Sequence, residues 1–443
     1  MLDVVLVNSP LFKENNQSYK DEYLPPIGLG YIASTLYTAN IDVVILDAVA
    51  EGLSIDEIIK EINQLQPKFV GFNIFTTNYE LVKEIIENLY LTTTILIGGI
   101  STKALYKKIF LWETKNKLNV IYGDGEKITL DIVKQNITEK PYESFENKNF
   151  YLVSEISKYY IKDISELTLN RVFFKFEPIK NVFNEFEVSI VTSRGCIYNC
   201  AYCSAASSRN KELSIRERDK KSIEKELAYI KNKYPQVKSI RILDDLFLKN
   251  LNSIKNAIEI FNKFNFQWRG MAHINSFKNI NQDYLKQLKN SGCLEFSIGI
   301  ESGSENILKF INKNTKTDDI KNTIENILKE EISVKAYFIL GFPTETLEDF
   351  ISTYELAKYL KELSKKYVNT EFRISIFKFR PYEGTKLYDL IVKENINIVI
   401  EHDNNLTDVI NRGNFNFSAG NYSECKNSEL NSFIEKIHKL NDI

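Results

Sequence analysis

Short β-branched runs alternate with amphipathic stretches twice along this chain, and that alternation constrains its fold more than any other feature. In residues 3–136 the runs are Val4-Val5-Leu6-Val7, Val43-Val44-Ile45-Leu46, Phe69-Val70-Gly71-Phe72, Ile95-Leu96-Ile97 and Val120-Ile121-Tyr122. One intervening stretch carries Ile58, Ile59, Ile62 and Leu65, and it opens with Ser54 and Glu57 in capping-box spacing. Five such units predict an α/β fold: a doubly wound, Rossmann-like parallel sheet over residues 1–140. An irregular, aromatic- and charge-rich stretch at 141–185 reads as a linker. Strand candidates at 187–192, 238–243, 267–272, 294–300, 334–340 and 371–377 then predict a partial (β/α)6 TIM-type barrel over 186–386. Residues 387–443 read as a small, polar, helical C-terminal cap.

Charge narrows the partners. Lys and Arg number 57 against 59 Asp and Glu, a net −2, so neither nucleic acid nor an anionic membrane is expected as a partner. No apolar run approaches the ~18 residues of a membrane span, and no basic segment precedes the first strand. A cytoplasmic protein is expected.

In a doubly wound sheet, ligands bind beyond the carboxyl ends of the strands. Asn8-Ser9-Pro10, Asp47, Asn73 with Thr76-Thr77, Gly98-Gly99 and Gly123-Asp124-Gly125-Glu126 fall there. They are equally readable as turns or as a small-molecule site. Neither a G-x-G-x-x-G nor a P-loop pattern is present, which disfavours dinucleotides and nucleoside triphosphates.

The chain has five cysteines, and Cys196, Cys200 and Cys203 fall within eight residues after the first barrel strand. Thiolates are the ligands of iron–sulfur clusters. Three on one loop can hold three irons of a [4Fe–4S] cube and leave the fourth open. A zinc site would need a further ligand from His273, His402, His438, Cys293 or a carboxylate.

The C-x3-C-x2-C spacing with Tyr202 before the last cysteine, at the first strand of a β/α repeat, resembles the radical S-adenosylmethionine (SAM) enzymes. Arg216-Glu-Arg218, Asp244-Asp245-Leu-Phe247, Ser291-Gly292-Cys293 and Gly299-Ile-Glu301-Ser302-Gly303-Ser304 fit the same pattern. So do Leu340-Gly341-Phe342-Pro343-Thr-Glu345-Thr346 and Pro381-Tyr382-Glu383-Gly384-Thr385. Leu24-Pro25-Pro26-Ile-Gly28-Leu29, with the glycine pairs, resembles the branch bearing an N-terminal cobalamin-binding domain; the resemblance spans roughly residues 1–390.

That resemblance implies three cofactors: a [4Fe–4S] cluster on Cys196, Cys200 and Cys203, SAM on its open iron, and cobalamin. It places SAM against Tyr202, Asp244, Asp245, Glu301, Ser302, Gly341, Phe342 and Pro343. Cobalamin would lie against Asn8, Pro10, Asp47, Asn73, Thr76, Thr77, Gly98, Gly99, Gly123, Gly125 and Glu126. Many cobalamin proteins carry D-x-H-x-x-G, whose His ligates cobalt. This chain has Asp47-Ala-Val49-Ala-Glu51-Gly52 there, and no His before His273.

The implied activity is C-methylation of an unactivated carbon of a small molecule, with an external reductant of flavodoxin or ferredoxin type. Cyclisation or rearrangement, a front domain without cobalamin, and a non-catalytic sensor are the alternatives. Methylthiotransferases are disfavoured, because the front third lacks cysteine. Substrate contacts are sought at Tyr198, Trp268, Arg269, His273, Arg373 and Tyr382, where packing or surface placement fits equally.

Overall fold

The computed structural model describes residues 2–10, 23–394 and 420–442. They form two compact units, Met1–Ile179 with Asn210–Arg216, and Lys180–Arg209 with Glu217–Ile443.

In the first unit the strands Val4–Val7, Val43–Leu46, Phe69–Asn73, Thr94–Gly98 and Lys117–Tyr122 lie in spatial order 2-1-3-4-5. All are parallel; Val4 stands level with Val43 on one side and Phe69 on the other. The connections reverse direction about the first strand, so the crevice beyond its carboxyl end is the natural ligand position. The helix Ile55–Leu65 begins at the expected capping box: the Ser54 hydroxyl accepts from the Glu57 N–H, and Glu57 accepts from the Ser54 N–H. Its face of Ile58, Ile59 and Ile62 is buried against the sheet.

Residues 141–185 are no linker. Lys148–Leu152 joins the sheet parallel to the fifth strand, and Glu143–Phe145 pairs antiparallel to it at the edge. Farther on, Arg171 and Glu177 form a fully buried ion pair at 2.8 Å. The stretch lacks clean alternation because its extended runs, these two and Ile179–Lys180, are short; between them it packs through aromatic rings and such pairs.

The second unit is built on a curled seven-stranded sheet: six parallel strands, Phe186–Ile190, Ser239–Ile242, Gln267–Ala272, Cys293–Glu301, Ser333–Leu340 and Phe372–Lys378, are adjacent in chain order, and the short strand Ile179–Lys180 lies beside the first of them. The helices between them pack their apolar faces on it, as Ile320, Ile324, Ile327 and Leu328 do. The last helix, Asn427–Lys439, is part of this core rather than a cap, since Leu430 and Ile437 are buried in it. Asn441 covers the sixth strand: its side chain accepts from the Ile374 N–H and donates to the Ile374 carbonyl, both at 2.8 Å. That satisfies backbone groups an edge strand would otherwise expose.

A chain of buried charges crosses the amino-terminal end of this sheet. Arg269 reaches Glu187 at 2.6 Å and Glu295 at 3.6 Å, and the Arg373 Nε donates to Glu295 at 3.0 Å. Arg269 and Arg373 therefore lie at the end opposite the strand-end loops, not among substrate contacts. Trp268 is likewise a core residue: it is fully buried, stacks on Phe261, and donates from Nε1 to the Ser291 carbonyl. Neither strand position announces whether a side chain faces the loops or the far end. Among the described residues no helix is long and apolar enough to cross a membrane.

Candidate active site

The loop after the first strand of the second unit carries Cys196, Cys200 and Cys203. Gly195 opens it at φ +92°, and its N–H donates to Asp245 at 3.2 Å. Tight turns follow: the Cys203 N–H donates to the Cys200 carbonyl, and the Ala206 N–H to the Cys203 carbonyl, both at 3.2 Å. Ala201 fastens the loop, donating to the Ile311 carbonyl at 2.9 Å and accepting from the Leu387 N–H at 3.0 Å. Burial pushes all three thiols up, Cys203 to about 12, so without metal they stay protonated.

Three thiols spread along one loop suit a polynuclear cluster, where each holds a different iron and need not converge with the others on one point. Among the described residues, no three His, Cys, Asp or Glu side chains gather on a single ion. Of the further zinc ligands weighed above, Cys293 is buried in the barrel core, His438 is exposed on the last helix, and His402 lies outside the described residues.

The fourth strand ends in a bulge at Glu301, which adopts a left-handed φ of +70°. Its Oε1 accepts from the Tyr202 hydroxyl at 2.7 Å and from the Lys313 ammonium at 2.9 Å. Gly299 makes room for this: a Cβ there would stand 2.2 Å from Glu301 Oε1 and 2.8 Å from Lys313 Nζ. Burial opposes a charged lysine, yet the Glu301 carboxylate, by its charge and its hydrogen bond, holds Lys313 above its ordinary pKa.

Other expected SAM contacts are already engaged by the protein. Asp244 accepts from the Thr192 N–H at 2.6 Å, the Thr192 hydroxyl at 2.5 Å and the Ser193 hydroxyl at 2.7 Å. It thus pins the strand end from which the cysteine loop departs; Asp245 is exposed beside it. Ser302 shares its hydroxyl with Thr353 at 3.0 Å and accepts from the Ser304 N–H. Gly341 turns at φ +94°, and Phe342 packs edge-on to Tyr202 at 5.7 Å; Pro343 is buried beside them. The Glu345 carboxylate accepts from the Gly341 and Phe342 N–H groups at 2.6 and 2.9 Å, and burial raises its pKa to about 8. Tyr198 stacks on His273 at 3.9 Å, and Tyr382 follows the sixth strand at the same end of the sheet.

Lys313 and the loop-holding part of Glu345 escape sequence reasoning. Lys313 sits in Asn312-Lys313-Asn314, whose asparagines take φ +57° and +54°. The sequence shows a turn there, but not which carboxylate the turn delivers the lysine to.

At the carboxyl ends of the first unit's strands, the Asn8 amide donates to Asp47 at 2.8 Å, Asn73 donates to Asn8 at 3.2 Å, and the Ser9 N–H donates to Asn73 at 3.1 Å. Asp47 also accepts from the Tyr23 hydroxyl and caps the short helix Ala48–Glu51. Thr76 and Thr77 form a 3-10 turn after the third strand. Gly99 adopts φ +124°, and a Cβ there would lie 2.5 Å from the Ile74 carbonyl oxygen. A Cβ on Gly98 would instead meet nothing within 4 Å, so the backbone borders open space. Gly123 turns at φ +104°, and Gly125 starts a helix whose first residue, Glu126, is buried. Pro10 ends the first described segment.

Comparison with known proteins matches residues 190–357 to the radical SAM superfamily and residues 21–133 to the B12 binding domain. The chain belongs to the radical SAM superfamily, with an N-terminal B12-binding domain. It is 28% identical over 389 residues to a Pyrococcus horikoshii protein named as an uncharacterized methyltransferase, covering 84% of this chain and 79% of the relative. It is 22% identical over 351 residues to the anaerobic magnesium-protoporphyrin IX monomethyl ester cyclase of Rubrivivax gelatinosus, covering 75% and 62%. Its fold resembles that of the cobalamin-dependent SAM radical enzyme OxsB, with a TM-score of 0.63 at 16% identity over 90% of this chain and 62% of that one. The chain thus spans less than two-thirds of the cyclase and of OxsB.

A radical SAM enzyme with this front domain takes a [4Fe–4S] cluster, SAM and cobalamin. The residues fit them. Cys196, Cys200 and Cys203 offer three soft donors, which would hold three irons of a cube. In the B12-binding unit, the open space at Gly98 and the buried, unpartnered Ser9 hydroxyl suit a large polar ligand beyond the strand ends.

Proposed function

We propose that this radical SAM enzyme methylates an unactivated carbon of a small molecule, with cobalamin carrying the methyl group. The observation that carries this reading is the pairing, in one chain, of a loop bearing Cys196, Cys200 and Cys203 with a front unit whose backbone borders open space at Gly98. Likeness to the Pyrococcus protein named as a methyltransferase supports it.

When bound, SAM and the cluster supply a radical able to remove hydrogen from carbon, and cobalamin supplies a methyl group for that carbon. The chain's own residues prepare the ground. Asp244 fixes the root of the cysteine loop. Tyr202, Glu301 and Lys313 form one buried hydrogen-bonded group beside it. Glu345 locks the Gly341-Phe342 turn. Phe342 and Phe379 pack in a buried apolar cluster with Ala201 of the loop. An external electron donor of flavodoxin or ferredoxin type completes the proposal.

The likeness to a cyclase favours a second outcome, ring closure without methyl transfer. Anaerobic turnover separates the two. Formation of 5′-deoxyadenosine together with S-adenosylhomocysteine supports methylation; 5′-deoxyadenosine alone means cyclisation or rearrangement. Neither nucleoside from fully loaded enzyme with a cognate substrate would end both readings.

A further inference from the structure

His273 is the first residue beyond the third barrel strand and is only 5% exposed. Its backbone is held by a bond from its N–H to the Ser276 hydroxyl at 3.3 Å. Its Nδ1 accepts from the Asn275 N–H at 3.1 Å, and an accepting nitrogen carries no proton. The neutral ring therefore keeps its proton on Nε2. Burial, with Lys313 nearby, lowers the imidazole pKa to about 3, so the ring stays neutral at working pH.

That fixed Nε2–H donor is buried and has no hydrogen-bond partner. A buried donor left unmade is costly, and native chains seldom keep one without a use. Its surroundings say which use. The ring stacks on Tyr198 with centroids 3.9 Å apart and planes 24° apart, and Tyr198 lies two residues from both Cys196 and Cys200. The Asn275 amide donates to the Asn314 carbonyl at 3.0 Å, tying this turn to the one that presents Lys313. A neutral N–H donor near a buried ammonium invites an electron-rich acceptor rather than a cation.

We infer that His273 is a positioning residue for the cofactor assembly on the cysteine loop, donating its Nε2–H to an anionic acceptor bound there. Two sources share that chemistry, a sulfide of the cluster and the carboxylate of SAM. The inference rests on reading Cys196, Cys200 and Cys203 as a cluster loop.

The test uses the full chain, reconstituted anaerobically, with iron and sulfide measured first. His273→Phe keeps a flat ring against Tyr198 and deletes the donor; His273→Gln restores one. His273→Leu is the second donorless variant should the Phe form not fold. The cluster midpoint potential is read without SAM, and SAM affinity is read by equilibrium dialysis on the oxidised cluster, where no turnover occurs. If a sulfide is the acceptor, a donorless variant at equal loading becomes harder to reduce. The oxidised-to-reduced ratio at fixed potential then shifts about tenfold, ~59 mV for one electron. If the carboxylate is the acceptor, the potential holds and the SAM Kd rises about tenfold, as for one charge-assisted bond. His273→Gln recovers the affected quantity in either case. Wild-type values for both quantities in a donorless variant overturn the inference. A wild-type chain that takes up no cluster overturns the cluster reading instead, and this inference with it.

Discussion

The Lys313 ammonium lies 2.9 Å from Glu301 Oε1, and both side chains are only 6% exposed. The same oxygen accepts from Tyr202, the residue before the last loop cysteine, so one carboxylate links the fourth strand, a distant turn and the cysteine loop. Removing the cation strands a buried charge, which costs about 3–5 kcal/mol. Lys313→Met should destabilise the second unit by that order, and Lys313→Met with Glu301→Gln should recover part of the loss. The chain has two tryptophans, Trp112 in the first unit and Trp268 in the second. Urea unfolding in a Trp112→Phe background therefore lets Trp268 report on the second unit. A neutral single variant would show that Glu301 is not held as an ion.

Replacing Cys196, Cys200 and Cys203 together with Ala should abolish cluster uptake. One cube brings about four irons and four sulfides per chain. The wild type should approach those values after anaerobic reconstitution and the variant should fall near zero, with unfolding of the barrel little changed. Cys293 is too deeply buried to substitute for them. Retention of the cluster by the triple variant would move the metal site elsewhere.

Glu345 gives a pH signature. Burial lifts its pKa from 4.5 to about 8 in the folded chain. Between those values the folded state holds a proton that the unfolded state has released, so this group's contribution to stability is full below about 4.5 and is lost as pH rises through about 8. Glu345→Gln keeps an acceptor for the Gly341 and Phe342 N–H groups but cannot titrate. The stability difference between wild type and variant should therefore shift against the wild type from pH 5 to pH 8. A difference independent of pH would place the Glu345 pKa near its ordinary value.

Both sheets were legible because each rests on a local pattern: β-branched runs at Val4–Val7 or Val43–Leu46, and helix starts such as Ser54 with Glu57. The cysteine loop was legible through spacing alone. What the sequence could not convey is which way a polar residue at a strand end is turned. Asp244 reads as a free acceptor, yet its oxygens are taken by Thr192 and Ser193, 52 and 51 residues earlier. Arg373 reads as a rim residue but belongs to an ion-pair chain through Glu295 and Arg269 at the opposite end. Such partnerships join residues far apart in sequence and leave no periodic trace.

Gly99→Ala should damage the front unit. The position combines φ +124° with a Cβ that would stand 2.5 Å from the Ile74 carbonyl oxygen, so the backbone must move. Strain of this kind costs about 1–3 kcal/mol. Hydroxocobalamin binding should weaken in Gly99→Ala, while Gly98→Ala, whose Cβ meets nothing within 4 Å, should keep the fold and lose affinity only by intruding on the ligand. Equal, wild-type binding by both variants would move the cobalamin pocket away from this turn.

Cobalt in the front unit should receive no nitrogen from the protein. The front unit cannot supply a His ligand, because residues 1–272 contain no histidine. Val49 occupies the place where other cobalamin proteins carry their ligating His. Asp47, which in such a motif would orient the imidazole, is instead committed to Asn8, Tyr23 and the Ala50 N–H. Electron paramagnetic resonance of the cob(II)alamin form decides the matter, provided the protein is uniformly labelled with 15N and the cobalamin is not. An axial nitrogen from the cofactor's own base then splits each cobalt line into a triplet, one from the protein splits it into a doublet, and a water or empty lower face splits it not at all. The triplet or the unsplit spectrum is expected. A doublet would mean that a histidine from outside the front unit, or a backbone or side-chain amide within it, reaches the metal, and the Asp47 network would then have to open to admit it.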